Sequence, residues 1–72
     1  MISRQPIKDR NYRIIGYIDT DSSSGDKTAY SFAGKIVGFY QKQFDRTITY
    51  TTEIVGFGDQ LVSLLYIEDN KK

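Results

Sequence analysis

Three times along this chain the same five-residue pattern returns: Arg13-Ile14-Ile15-Gly16-Tyr17, Lys35-Ile36-Val37-Gly38-Phe39 and Glu53-Ile54-Val55-Gly56-Phe57. Each copy reads charged, β-branched, β-branched, glycine, aromatic, and the glycines stand 22 and then 18 residues apart. Repetition at that spacing marks a supersecondary unit that buries its apolar side only by packing on its neighbours. The residues upstream correspond as well. Thr28-Ala29-Tyr30-Ser31 matches Ile48-Thr49-Tyr50-Thr51, which makes Tyr30 and Tyr50 equivalent and the third turn two residues shorter than the second. Ile7-Lys8-Asp9 aligns with Ala29-Tyr30-Ser31. Ile, Val, Thr, Tyr and Phe dominate both arms; branching at Cβ and aromatic bulk suit a pleated sheet and lose rotamer freedom in a helix. The unit is a β-hairpin, in three copies over about residues 7–18, 28–40 and 47–58.

Arg10-Asn11-Tyr12, Phe32-Ala33-Gly34 and Thr51-Thr52 separate the arms, lengths that fit tight or bulged hairpins in which Asn or Gly takes positive φ at low cost. Gly16, Gly38 and Gly56 interrupt what would be continuous strand, so each is expected to mark a bulge or a close backbone approach. Tyr17, Phe39 and Phe57 hold one place in every unit, as side chains with a packing role do. Alternation turns either Ile14, Ile36 and Ile54 or their neighbours Ile15, Val37 and Val55 towards the core, and the pattern leaves both choices open. Polar connections at residues 19–27 and 41–46 join the units. After Phe57 the pattern changes. Asp59 as an N-cap and Leu61, Val62, Leu64, Leu65 and Tyr66 at helical spacing predict a short C-terminal helix, with a buried strand over residues 61–67 as the competing reading. Residues 59–67 form this closing segment, and residues 68–72 are expected to be a solvated tail.

The hairpin with its Ile-Val-Gly-Phe core, the Asp/Ser/Gly loop and the closing Gly-Asp-x-Leu-x-x-Leu-Leu segment resemble the small bacterial four-fold beta-flower proteins, over about residues 7–66. The resemblance implies an all-β fold of repeated antiparallel β-hairpins set as petals about a pseudo-symmetric axis, propeller-like or flower-like, and it brings no catalytic residue. Tyr12 departs from the pattern, standing where the second unit has Gly34. With three hairpins explicit, a fourth petal would come from the chain's ends, residues 2–7 with residues 61–67.

The chain has 72 residues, room for one small domain. It has no Cys, His or Trp, which removes disulfides, thiol and imidazole catalysis, and metal sites built on sulfur or imidazole. The acidic run Asp19, Asp21, Asp26 fails as a calcium loop: counting from Asp19, Ser24 stands where the turn needs Gly and Tyr30 where it needs a bidentate Glu. Gly56-Phe57-Gly58-Asp59 offers a glycine turn ahead of a helix, but the Asp59 carboxylate competes with any phosphate there. No nucleophile and base stand at a telling spacing, so the expectation is no enzyme, no cofactor and no metal. No apolar run reaches the length of a membrane span and nothing at the start reads as a signal peptide, so the expected setting is cytoplasmic, away from membranes.

Two readings of function follow. Net charge is only +1, yet Arg4, Lys8, Arg10 and Arg13 face Asp9 alone over residues 1–13, with Tyr12 and Tyr17 close by. Cations beside aromatics suit phosphates and stacked bases, so this N-terminal face is the candidate site for weak single-stranded nucleic-acid binding. The preferred reading is a non-catalytic structural or protein-interaction module. Apolar β-branched residues on both faces of each hairpin require cover beyond one core, which a second sheet or a partner subunit would supply. A homo-oligomer is expected ahead of a monomer.

Overall fold

A computed structural model describes residues 1–70, the side chains of residues 68–70 excepted. The elements in chain order are β1 (Ile2–Lys8), β2 (Ile14–Asp21), β3 (Lys27–Ser31), β4 (Ile36–Gln41), β5 (Arg46–Thr49), β6 (Ile54–Phe57) and α1 (Leu61–Asn70). The six strands make one antiparallel meander in the order β1-β2-β3-β4-β5-β6. The sheet is open, with β1 and β6 as its edges. The helix lies on one face, against β2, β3 and β4. Among the described residues no helix is long and apolar enough to cross a membrane.

The three expected hairpins are β1–β2, β3–β4 and β5–β6, and they share one turn. Its fourth residue donates its N–H to the carbonyl of the first: Tyr12 to Asp9 at 3.0 Å, Gly34 to Ser31 at 2.9 Å, Thr52 to Thr49 at 2.9 Å. The first residue donates to the carbonyl of the fifth: Asp9 to Arg13 at 3.0 Å, Ser31 to Lys35 at 2.8 Å, Thr49 to Glu53 at 2.8 Å. A side-chain oxygen on the first residue then accepts the N–H of the fifth, from Arg13 on Asp9 Oδ1, from Lys35 on Ser31 Oγ and from Glu53 on Thr49 Oγ1. Asp, Ser and Thr interchange here because each carries a short acceptor that reaches the backbone. The fourth residue sits at φ 62°, 90° and 69° in Tyr12, Gly34 and Thr52, a conformation that only Gly34 adopts without a Cβ penalty.

That shared turn corrects the alignment of the third unit. Thr49 opens the third turn, so Thr49 corresponds to Ser31 and Ile48, not Tyr50, corresponds to Tyr30. Tyr50 lies in the turn and is exposed, and the third turn is as long as the others. The hydrogen bonds fix the distance from the turn-opening acceptor to the charged residue that closes the turn, and similarity of side chains does not.

Each hairpin also carries the same bulge. Ile7 opposes Gly16 while Lys8 opposes Ile14; Ala29 opposes Gly38 while Tyr30 opposes Ile36; Thr47 opposes Gly56 while Ile48 opposes Ile54. Ile15, Val37 and Val55 are the extra residues, immediately before the repeat glycines. The insertion resets the alternation, so Ile14 and Tyr17, Ile36 and Phe39, and Ile54 and Phe57 each share the face opposite α1. Of the two sets left open above, Ile15 and Val37 enter the core with Ile18, Ala29, Leu61, Leu64 and Leu65. Val55 does not, because α1 sits over β2 to β4 and the third hairpin lies beyond it.

Two of the repeat glycines seat the helix. A Cβ on Gly16 would meet the carbonyl oxygen of Tyr30 and, at 2.7 Å, Cδ2 of Leu65; one on Gly38 would meet the Ile48 carbonyl oxygen at 2.6 Å and Leu64 Cδ1 at 2.7 Å. Gly56 has only Gln60 Cγ nearby, at 3.9 Å. The closing segment is helix and not strand. Asp59 Oδ1 accepts the Leu61 N–H at 3.2 Å, and Leu61, Leu64 and Leu65 form the buried stripe. Residues 2–7 belong to the first hairpin and residues 61–67 to α1. The helical backbone runs on through residue 70, where a tail was expected, and residues 71 and 72 lie outside the described residues. Fully buried Thr47 ties the chain as it leaves the sheet: its hydroxyl donates to the Gly58 carbonyl at 2.7 Å and accepts the Gln60 N–H at 2.8 Å.

Candidate functional site

The six residues of the N-terminal candidate site all lie on the β1–β2 hairpin, in two groups. Arg4 and Tyr17 meet in the sheet. Arg4 makes a two-pronged contact with Asp19, Nε to Oδ1 at 2.7 Å and Nη2 to Oδ2 at 3.0 Å, and its guanidinium lies 5.3 Å from the ring centres of both Tyr17 and Tyr30. The hydrogen bond from Arg4 holds the Asp19 carboxyl below its ordinary value, and the same bond raises Arg4. Lys8, Arg10, Tyr12 and Arg13 gather at the turn end, about 13 Å along β1 from Arg4. There Arg13 Nε stands 3.6 Å from Asp9 Oδ2, while Lys8, Arg10 and Tyr12 are exposed. Two of the four cations thus face a carboxylate of their own hairpin.

The acidic run is likewise absorbed by the fold. Asp19 holds Arg4, Asp21 Oδ1 accepts from the N–H and the hydroxyl of Ser23, and Asp26 Oδ1 accepts the Lys42 N–H at 3.0 Å. Hydrogen bonds from the Ser23 side chain, then its backbone, lower the Asp21 carboxyl. Asp59 is engaged twice, capping α1 and pairing with Lys27 Nζ at 2.8 Å, so the turn ahead of the helix carries a neutralised carboxylate. Lys27, Thr28, Phe39, Tyr40, Gln41, Ile48 and Asp26 line an open groove of about 380 Å³ at one end of β3 and β4. Tyr40 at its rim donates to Asp45 Oδ1 at 2.7 Å, a bond that pushes the phenol up from its ordinary value.

The third hairpin differs from the other two. Tyr17 and Phe39 are half-buried, each beside the next hairpin's strand, but Phe57 is 75% exposed, Ile54 58% and Val55 40%. No strand lies beyond β6 among the described residues. The two edges are unlike in chemistry. β1 carries Arg4, Pro6 and Lys8, the kinds of residue that discourage pairing of one such edge with another like it, whereas β6, Ile-Val-Gly-Phe, has no charge and no proline. Its backbone is available too. The Gly58 N–H turns inward to the Asp45 carbonyl at 2.7 Å, so the alternation directs the N–H and carbonyl of Phe57 outward.

Comparison with family models, curated proteins and solved structures finds no match to this chain. The site therefore rests on its own geometry. Reading the residues alone placed Phe57 with Tyr17 and Phe39 as a packing residue; the difference comes from its position in the last hairpin, where no following strand covers it. Thr47 was missed altogether, because a threonine in a strand carries no mark of the two backbone groups it serves.

Proposed function

We propose that this protein is a non-catalytic structural and protein-interaction module that assembles through the free edge and exposed apolar side chains of its third hairpin. The observation that carries this reading is the uncharged, proline-free edge strand β6 with Ile54, Val55 and Phe57 turned to solvent. Strand edges of this composition join other strands, and the groups needed for that are present in the backbone itself. The flower-like arrangement implied by the resemblance to beta-flower proteins is supported by three hairpins that repeat one turn and one bulge. In this reading they are petals, and the open sheet is completed by contacts at its edges. Light scattering after gel filtration tests the proposal. The parent chain should show a mass that is a multiple of 8.3 kDa, and Ile54→Lys, which places a charge on the exposed edge, should reduce it to that of one chain. A parent of one-chain mass at every concentration contradicts it.

The second reading is weak single-stranded nucleic-acid binding at the turn end of the first hairpin. It is favoured by the exposure of Tyr12, at 83%, beside Arg10 and Lys8. Because Arg4 and Arg13 face Asp19 and Asp9, few phosphates would be neutralised there. Affinity for an oligonucleotide should then fall only modestly between 50 and 200 mM salt, and Arg10→Ala, which leaves Lys8 in place, should make that fall smaller.

A further inference from the structure

The geometry points to a head-to-tail partner: a second copy of this chain, whose β1 continues the sheet beyond β6. This rests on the self-assembly reading above and specifies which edges meet. The internal repeat sets the register. Where one hairpin passes to the next, Gly16 opposes Ser31, Tyr17 opposes Tyr30 and Ile18 opposes Ala29. At the second junction Gly38 opposes Thr49, Phe39 opposes Ile48 and Tyr40 opposes Thr47. Both junctions obey one rule: the repeat glycine faces the residue that opens the next turn, and the repeat aromatic faces the residue before it. Gly56 and Phe57 end the series with that side unpaired. The hairpin whose entering strand is equally free is the first, and its turn opens at Asp9. The same rule sets Gly56 opposite Asp9 of the next copy, Phe57 opposite Lys8 and Gly58 opposite Ile7.

Each edge suits the other. The Lys8 carbonyl faces away from β2, since it accepts the Tyr66 hydroxyl at 3.2 Å, and it keeps a second lone pair for the Phe57 N–H of a neighbour. Pro6, which has no N–H to give, falls one position past the three that pair, so it ends the ladder without blocking it. Charge also selects this pairing. Glu53 stands just before β6 and Lys8 and Arg10 stand at the turn end of β1, all three exposed and outside the ion pairs of the described residues, so opposite signs approach. A β6-to-β6 contact joins two strands without charge and offers neither Glu53 a cation. In the head-to-tail contact the methylene stem of Lys8 covers Phe57, as Tyr30 and Ile48 cover Tyr17 and Phe39. A junction of unlike surfaces closes into a ring or extends as a filament.

Charge reversal across the junction tests it. Phe57→Lys sets lysine against Lys8, and because Phe57 is 75% exposed the chain should fold unchanged. Its light-scattering mass should fall to 8.3 kDa. Adding Lys8→Glu to the same chain should restore the multiple of the parent, since Glu now faces Lys at every junction. If the parent assembles but the double variant stays at one-chain mass, or Phe57→Lys still assembles, the head-to-tail junction is wrong while self-assembly stands. A parent of one-chain mass at all concentrations overturns both.

Discussion

Gly16, Gly38 and Gly56 occupy one place in the repeat, yet their surroundings assign them different roles. At Gly38 a methyl group would press on the Ile48 carbonyl and on Leu64, so Gly38→Ala should destabilise by roughly 2 kcal/mol or more, with Gly16→Ala similar. Gly56→Ala has room and no positive φ to oppose it, so its urea midpoint should equal the parent's or exceed it slightly. Equal losses at all three positions would contradict the role given to the helix. Thr47→Val keeps the shape but leaves the Gln60 N–H and the Gly58 carbonyl without a buried partner, at a cost of about 1–3 kcal/mol in the same titration. Asp9, Asp19 and Asp21 are all held below their ordinary pKa, by the Arg13 N–H, by the Arg4 side chain and by the Ser23 side chain respectively. The unfolded chain therefore takes up protons first, at about pH 4, and stability that is complete above that range is lost as pH falls through the lower folded values. Urea midpoints should hold between pH 6 and 5 and drop towards pH 3, and Asp19→Asn should make that drop smaller.

At the scale of elements, much of the architecture was legible. The pattern of two β-branched residues, glycine and an aromatic located all three hairpins, because a bulge needs an extra residue and the close helix needs a residue without Cβ in two of the three places. The helix was legible in Leu61, Leu64 and Leu65 behind the Asp59 cap, and its run through residue 70 was not, since Glu68 and Asp69 read as solvated chain. The upstream arm of the third unit was misaligned by the lure of Tyr50 against Tyr30, although Asp9, Ser31 and Thr49, each four residues before a charged residue, carried the right signal. Leu65→Ala removes the side chain that fills the space over Gly16 and should cost about 2–5 kcal/mol, measured by denaturant unfolding. Val62→Ala, on the exposed side of α1, should change stability little.

For the whole molecule, the consequence of three hairpins and one helix is asymmetry. One helix covers β2 to β4, so Ile15 and Val37 of the first two hairpins are buried, while Ile54, Val55 and Phe57 of the third and its outer edge lie in solvent. That surface could not be read from the sequence, because the three cores are nearly identical and only their order along the sheet separates them. The edge strands carry opposite properties, β1 basic with a proline and β6 neutral and apolar, which gives the sheet a direction as well as two ends. Amide hydrogen exchange at Phe57, followed as protein concentration rises, tests assembly through that edge most directly. Its outward N–H should exchange progressively more slowly with concentration, together with that of Lys8, while the exposed turn at Thr51 stays fast. Exchange at Phe57 that is rapid and independent of concentration would contradict assembly through the third hairpin.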